Sequence, residues 1–195
     1  MILGLTGFSG AGKSTVAAIL KENGFYHLDC DVMVHDEVYT DPAVLRAISA
    51  VFGDSIIQDG HLDRIALRHC VMGNPNALTT LNDTVRPFIL AYIDRHLSAH
   101  ADEDIILDAP LLFESGLEQK CDKVLSVITD TELAMKRIIK RDALTADDAK
   151  KRLCSQHPAE FYTERSDYVI NNDQDLNALK AQTEKILAAI HGQEY

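Results

Sequence analysis

The chain has 195 residues, 46% hydrophobic and 25% charged, with a net charge of −11. That length suits one domain, or one domain with an inserted piece, and the acidic balance speaks against a nucleic-acid or membrane-surface protein, which would usually be basic. No apolar run approaches a bilayer span, no basic start leads into an apolar stretch and a cleavage site, and Cys30, Cys70, Cys121 and Cys154 lack zinc or redox spacing. The expectation is a cytoplasmic protein with reduced thiols, most of them buried.

Residues 1–6, "MILGLT", form a short apolar run of the kind a buried parallel strand shows. "GFSGAGKST" follows at 7–15, with Gly7, Gly12, Lys13 and Ser14 matching G-x-x-x-x-G-K-[ST]. In such a loop, backbone N–H groups cage phosphate oxygens, the lysine reaches the β- and γ-phosphates, and the hydroxyl binds Mg²⁺. "KSTVAAILKENG" then places Val16, Ile19 and Leu20 on one helical face and stops at Gly24. Strand, loop and helix are the context the motif requires, and the helix N-terminus adds partial positive charge.

"FYHLD" (25–29) predicts a second strand. Asp29 and Asp31 stand at its carboxyl end, where open α/β sheets bind ligands. Either can cap the helix that follows, and either can accept a proton from a hydroxyl or organise Mg²⁺ through water. His35, four residues after Asp31, comes within reach of it if a helix begins there. Helices are predicted over 42–53, 61–73 and 75–100, with Pro87 marking a kink or break in the last. With no strand or hairpin signal between them, 42–100 is expected to be a helical subdomain capping the second substrate.

Residues 104–110 predict a strand that carries Asp108, either a second Mg²⁺-organising carboxylate or simply a polar strand end. A strand at 122–129 precedes helices at 131–142 and 145–156, each with a threonine placed as cap. These helices concentrate Lys136, Arg137, Lys140, Arg141, Lys150, Lys151 and Arg152, whereas 22–45 hold no lysine or arginine. Beside a nucleotide loop, such a cluster suits polyphosphate. A strand at 167–172 and a helix at 176–190 close the chain. The alternation implies a doubly wound parallel sheet. The histidines form no H-E-x-x-H, and neither G-x-S-x-G nor a guanine-reading N-K-x-D occurs.

"LTGFSGAGKSTVA", "DCDVMVHDE", "PLLFESGLEQKCDKVLSV", "RIIKRDALTADDAKKRLCSQ" and "DYVINN", in this order, resemble the dephospho-coenzyme A kinase family over residues 1 to about 190. The resemblance implies a P-loop kinase fold, with core 1–41 and 104–195, an acceptor-binding helical subdomain 42–100 and a lid at about 136–160. It implies transfer of the γ-phosphate of ATP, with Mg²⁺, to the 3′-hydroxyl of dephospho-coenzyme A, the last step of coenzyme A synthesis. Residues Gly10, Ala11, Gly12, Lys13, Ser14 and Thr15 would hold the ATP phosphates, Arg141 would reach them from the lid, and Asn172 would lie near the adenine. Asp31 would be the general base, Ser14 and Asp108 would serve the metal, and Pro110, Leu111 and Glu114 would border the acceptor, with Asp29, His35 and Arg86 also on the acceptor side. Phe8 and Ala11 stand where the family usually has glycine and serine, both at variable positions, and Arg86-Pro87 replaces the usual His-Pro. Arg86, with its planar fork, suits a phosphate contact there. A monomer or small homo-oligomer without nucleic-acid or membrane partners is expected. The rival reading is another small-molecule P-loop kinase, acting on a nucleoside or nucleoside monophosphate.

Overall fold

The opening apolar run forms β1 (Ile2–Thr6), in which Leu3 and Leu5 are fully buried. The computed structural model describes residues 1–192. Strand β1 is central and pairs in parallel with β5 (Ile105–Asp108) on one side and β6 (Lys123–Ile128) on the other. β7 (Tyr168–Asn171) lies parallel to β6, and β2 (Tyr26–Asp29) stands at the opposite edge, giving the order β2-β5-β1-β6-β7. Every residue of β5 is buried, as expected for an inner parallel strand covered on both faces.

The chain divides into two compact units, Met1–Leu28 with His100–Tyr195, and Asp29–Ala99. In the first, α1 (Lys13–Glu22) buries Val16, Ala17, Ile19 and Leu20, and α10 (Leu176–Ile190) packs beside it and buries Leu179, Thr183 and Leu187. Each large aliphatic side chain buried there contributes about 1.5–3 kcal/mol. The same unit holds α6 (Leu112–Ser115), α7 (Thr131–Asp142), α8 (Ala146–Cys154) and α9 (Ala159–Thr163). Thr145 caps α8 as expected, but α7 is capped by Asp130, whose carboxylate accepts from the Glu132 and Leu133 N–H groups; Thr131 is already inside the helix.

The second unit contains α2 (Cys30–Asp36), α3 (Pro42–Phe52), α4 (Arg64–Val71) and α5 (Pro75–Ala99). Val44 and Ile48 of α3 and Val85 and Ile93 of α5 are buried, and the two helices pack together. This stretch is not free of strands. β3 (Ile57–Gln58) and β4 (His61–Leu62) pair antiparallel around Asp59-Gly60, with φ of 51° and 78°. Asp-Gly is a strong turn signal because both residues tolerate positive φ. The hairpin takes the first residues expected for the 61–73 helix, which begins instead at Arg64 behind an Asp63 cap. Pro87 does not break α5, which runs through it. Of the cysteines only Cys30 is buried; Cys121 is half-buried, and Cys70 and Cys154 are exposed.

Candidate active site

At the glycines of the loop between β1 and α1, a side chain would not fit. Gly7 has φ 141°, and a Cβ there would strike the Val127 carbonyl. Gly12 has φ 101°, and a Cβ there would strike the Asn172 amide. Gly12 also starts α1 without a side-chain cap, so the first-turn N–H groups have no side-chain acceptor.

Neighbouring elements fix the loop from outside. Asn172, buried just past β7, donates from Nδ2 to the Ala11 carbonyl at 2.7 Å. A trans peptide sets its N–H opposite its C=O, so the Gly12 N–H points away from Asn172. Arg137 of α7 donates to the Gly10 carbonyl at 3.3 Å and the Asn172 carbonyl at 2.9 Å. Gln156, past α8, accepts from the Ser9 N–H at 2.9 Å.

Lys13 reaches back to the end of β5, where Nζ donates to Asp108 Oδ1 at 2.6 Å. The other carboxylate oxygen of Asp108 lies 3.2 Å from His27 Nε2, on β2. Asp108 is only 4% exposed. Burial alone would raise its pKa, but the hydrogen bond from His27 and the charge of Lys13 outweigh it and hold the carboxyl below its ordinary value. Thr6 Oγ1, at the end of β1, donates to the Pro110 carbonyl at 3.3 Å and ties the strand to the segment after Asp108.

Arg141 is exposed near the end of α7. Its Nε and Nη2 grip Asp142 at 2.7 and 2.9 Å, and Nη2 also lies 3.3 Å from Ser9 Oγ. Arg152 of α8 donates to the same Asp142 at 2.6 Å. Asp142 therefore joins the two basic helices and keeps an arginine fork beside the loop. Lys150 is exposed on α8.

Glu114 lines a cavity of about 500 Å³ with Phe113, Glu118, His157, Phe161 and Arg165; Pro110 and Leu111 are not among its walls. Cys121 does not offer a thiolate: burial pushes its pKa up to about 12.

Asp29, Asp31, His35 and Arg86 belong to the second unit. The choice between the two aspartates as cap is resolved there. Asp29 Oδ1 accepts from the Asp31 and Val32 N–H groups at 3.0 Å each, so Asp29 caps α2 and Asp31 lies in its first turn. His35 Nδ1 pairs with Asp36 Oδ1 at 2.5 Å. Arg86 is exposed on α5. His27, Gln156 and Asp142 were not singled out from the sequence, and Arg137 was read only as one of the basic cluster, without its inward role. A histidine inside a strand that ends at the ligand side was the available signal for the first; Arg137 and Gln156 depend on long-range contacts, and Asp142 on Arg141 beside it and Arg152 ten residues on.

Comparison with known proteins places this geometry in context. The family model for dephospho-CoA kinase matches residues 1–178. The dephospho-CoA kinase of Latilactobacillus sakei is 37% identical over 96% of this chain and 95% of that protein. The one from Fusobacterium nucleatum is 37% identical over 97% of this chain and 98% of that protein. Among solved structures, TT1252 from Thermus thermophilus matches with TM-score 0.83 and 30% identity, covering 97% of each chain. Dephospho-CoA kinase from Campylobacter jejuni matches with TM-score 0.74 and 27% identity, covering 99% and 98%.

Proposed function

The chain belongs to the dephospho-CoA kinase family, and from that premise we propose which of its groups carry out the ATP-dependent phosphorylation of dephospho-CoA to CoA. The observation that carries the assignment is the clamped glycine loop with Lys13 behind it, paired to a buried Asp108. Residues Gly10, Ala11, Gly12, Lys13, Ser14 and Thr15 hold the ATP phosphates, and Asn172, against Ala11 and Gly12, borders the adenine side. Phosphoryl transfer asks the protein for positioning and charge neutralisation rather than covalent chemistry. Lys13 supplies a cation at the β- and γ-phosphates. Arg141, exposed and already beside Ser9, supplies a second when the basic helices close as a lid.

The donor set suits Mg²⁺, a hard cation that takes oxygen ligands and keeps several waters. Ser14 offers a hydroxyl and Asp108 a carboxylate held below the usual range, so these two would hold the ion, Asp108 through water. Bound there, it would neutralise charge on the phosphates.

Asp31 is the general base for the 3′-hydroxyl. Asp29 is committed to the α2 cap, which leaves Asp31 as the member of the pair outside that role. On the acceptor side the family resemblance would assign contacts to Pro110, Leu111 and Glu114, and also to His35, Arg86 and the Asp29 carboxylate oxygen that the cap does not use. The reading includes a cytoplasmic location and a monomer or small homo-oligomer; no described helix is long and apolar enough to cross a membrane.

The test is to supply ATP, Mg²⁺ and dephospho-CoA and to follow CoA by chromatography, with Asp31→Asn alongside. Asparagine keeps the shape but takes no proton, and general-base help is typically worth about 10²–10⁴-fold. The variant is expected to bind both substrates with near-normal affinity by calorimetry while CoA formation falls by about that factor. Transfer close to the wild-type rate would remove Asp31 as the base. ADP formed only with a nucleoside acceptor would overturn the substrate assignment.

A further inference from the structure

Asp108 has two partners, Lys13 and His27, and binding of nucleotide phosphate by Lys13 would remove the first. Its oxygens are divided between Lys13, at 2.6 Å, and His27, at 3.2 Å, and the side chain is 5% exposed. Once the Lys13 ammonium turns to nucleotide phosphate, Asp108 keeps a buried carboxylate with one fewer donor. A buried charge without partners is costly and free to reorient. His27 sits on β2, adjoining β5 in the sheet, so neighbouring strands bring its imidazole beside Asp108. A carboxylate only accepts, so His27 Nε2 carries the hydrogen.

We propose that His27 is a positioning residue for the phosphoryl transfer: it holds the Asp108 carboxylate in place after Lys13 has left for the nucleotide, so that Asp108 faces the metal already oriented. The proposal rests on the assignment of Lys13 to the ATP phosphates. Of these three residues, Lys13 answers to the nucleotide, Asp108 to the metal, and His27 is assigned to act through Asp108. Groups that orient ligands in this way typically change metal affinity or activity by about 10–100-fold when removed.

Three substitutions separate orientation from mere packing. His27→Leu keeps apolar volume and loses the donor. His27→Gln places an amide N–H near the position of Nε2. His27→Asn is polar but too short to span to Asp108. ATP affinity is measured by calorimetry in EDTA and again with Mg²⁺, then kcat and KM, with Tm as a control. His27→Leu and His27→Asn are expected to bind metal-free ATP within about twofold of wild type, to lose about tenfold of the gain in affinity that Mg²⁺ brings, and to lower kcat by about 10–100-fold. His27→Gln is expected to recover most of both losses. If Leu does not fold, the Asn and Gln pair decides. Equal behaviour of Asn and Gln, or a fall in Tm with the Mg²⁺ gain and kcat unchanged, would overturn the proposal. Wild-type protein that binds no ATP in either condition would instead overturn the nucleotide assignment beneath it.

Discussion

Gly12 and Asn172 show how much of the loop is decided one residue at a time. The glycine is required twice over, by its φ of 101° and by the Asn172 amide where a Cβ would sit. The asparagine in turn satisfies the Ala11 carbonyl at 2.7 Å. Gly12→Ala is expected to combine a backbone cost of about 1–2 kcal/mol with a steric clash, and Asn172→Ala to cost about 1–3 kcal/mol for the unsatisfied carbonyl. In the double variant the clash disappears, so the losses should fall short of their sum by about 1 kcal/mol or more. Urea unfolding of the four proteins measures this; strict additivity would mean the two side chains do not meet. The glycines, Lys13 and Ser14 were legible in the sequence because their spacing is local. Asn172 was reached only through the family resemblance, since its partner is 161 residues away.

At the scale of elements, local patterns served well where both ends of an element carry their own signals. The strands beginning at Ile2 and Ile105 and the helices ending at Asp142 and Ile190 stand close to their expected limits. The hairpin around Asp59-Gly60 was missed because two-residue strands carry no readable alternation, although the turn dipeptide was present. The basic helices were legible as a cluster, but not the division of work within it. Arg137 is bound inward to the loop, Arg141 and Arg152 share Asp142, and Lys150 is exposed. A cation that contacts phosphate should matter far more than one adding to a general field. Arg141→Ala is therefore expected to keep Tm and lower kcat by about 100-fold, the scale of one lost charge-stabilising donor. Lys150→Ala should stay within about twofold. Equal losses at both positions in steady-state assays would show that the helices act only through diffuse charge.

Across the whole molecule, two electrostatic effects oppose each other as the pH falls. At pH 7 the chain carries −11, and acidifying towards pH 5 relieves that self-repulsion. Further acid reaches carboxylates whose pKa values are held down in the folded state. Burial would raise Asp104, but hydrogen bonds from the chain amino terminus and His191 outweigh it; Lys123 and the Val124 N–H lower Asp167; His27 and Lys13 lower Asp108 despite its burial. A depressed folded pKa means stability that is present above the unfolded value, about 4, and is lost as the pH falls through the folded value. The two trends together place the stability maximum on the acid side of neutrality but above the carboxylate range, with a fall beneath it. Asp104 and Asp167 tie β1 to the chain after α5 and β6 to the entry of β7, away from the candidate site. Asp104→Asn/Asp167→Asn should therefore leave turnover within about twofold and flatten the Tm profile between pH 5 and 3 by a few degrees, each kcal/mol corresponding to about 2–4 °C at this size. An unchanged slope in calorimetric scans would mean that these anchors do not carry the acid sensitivity, which would then fall to the other carboxylates held below their ordinary value, Asp41, Asp108, Asp142 and Asp173.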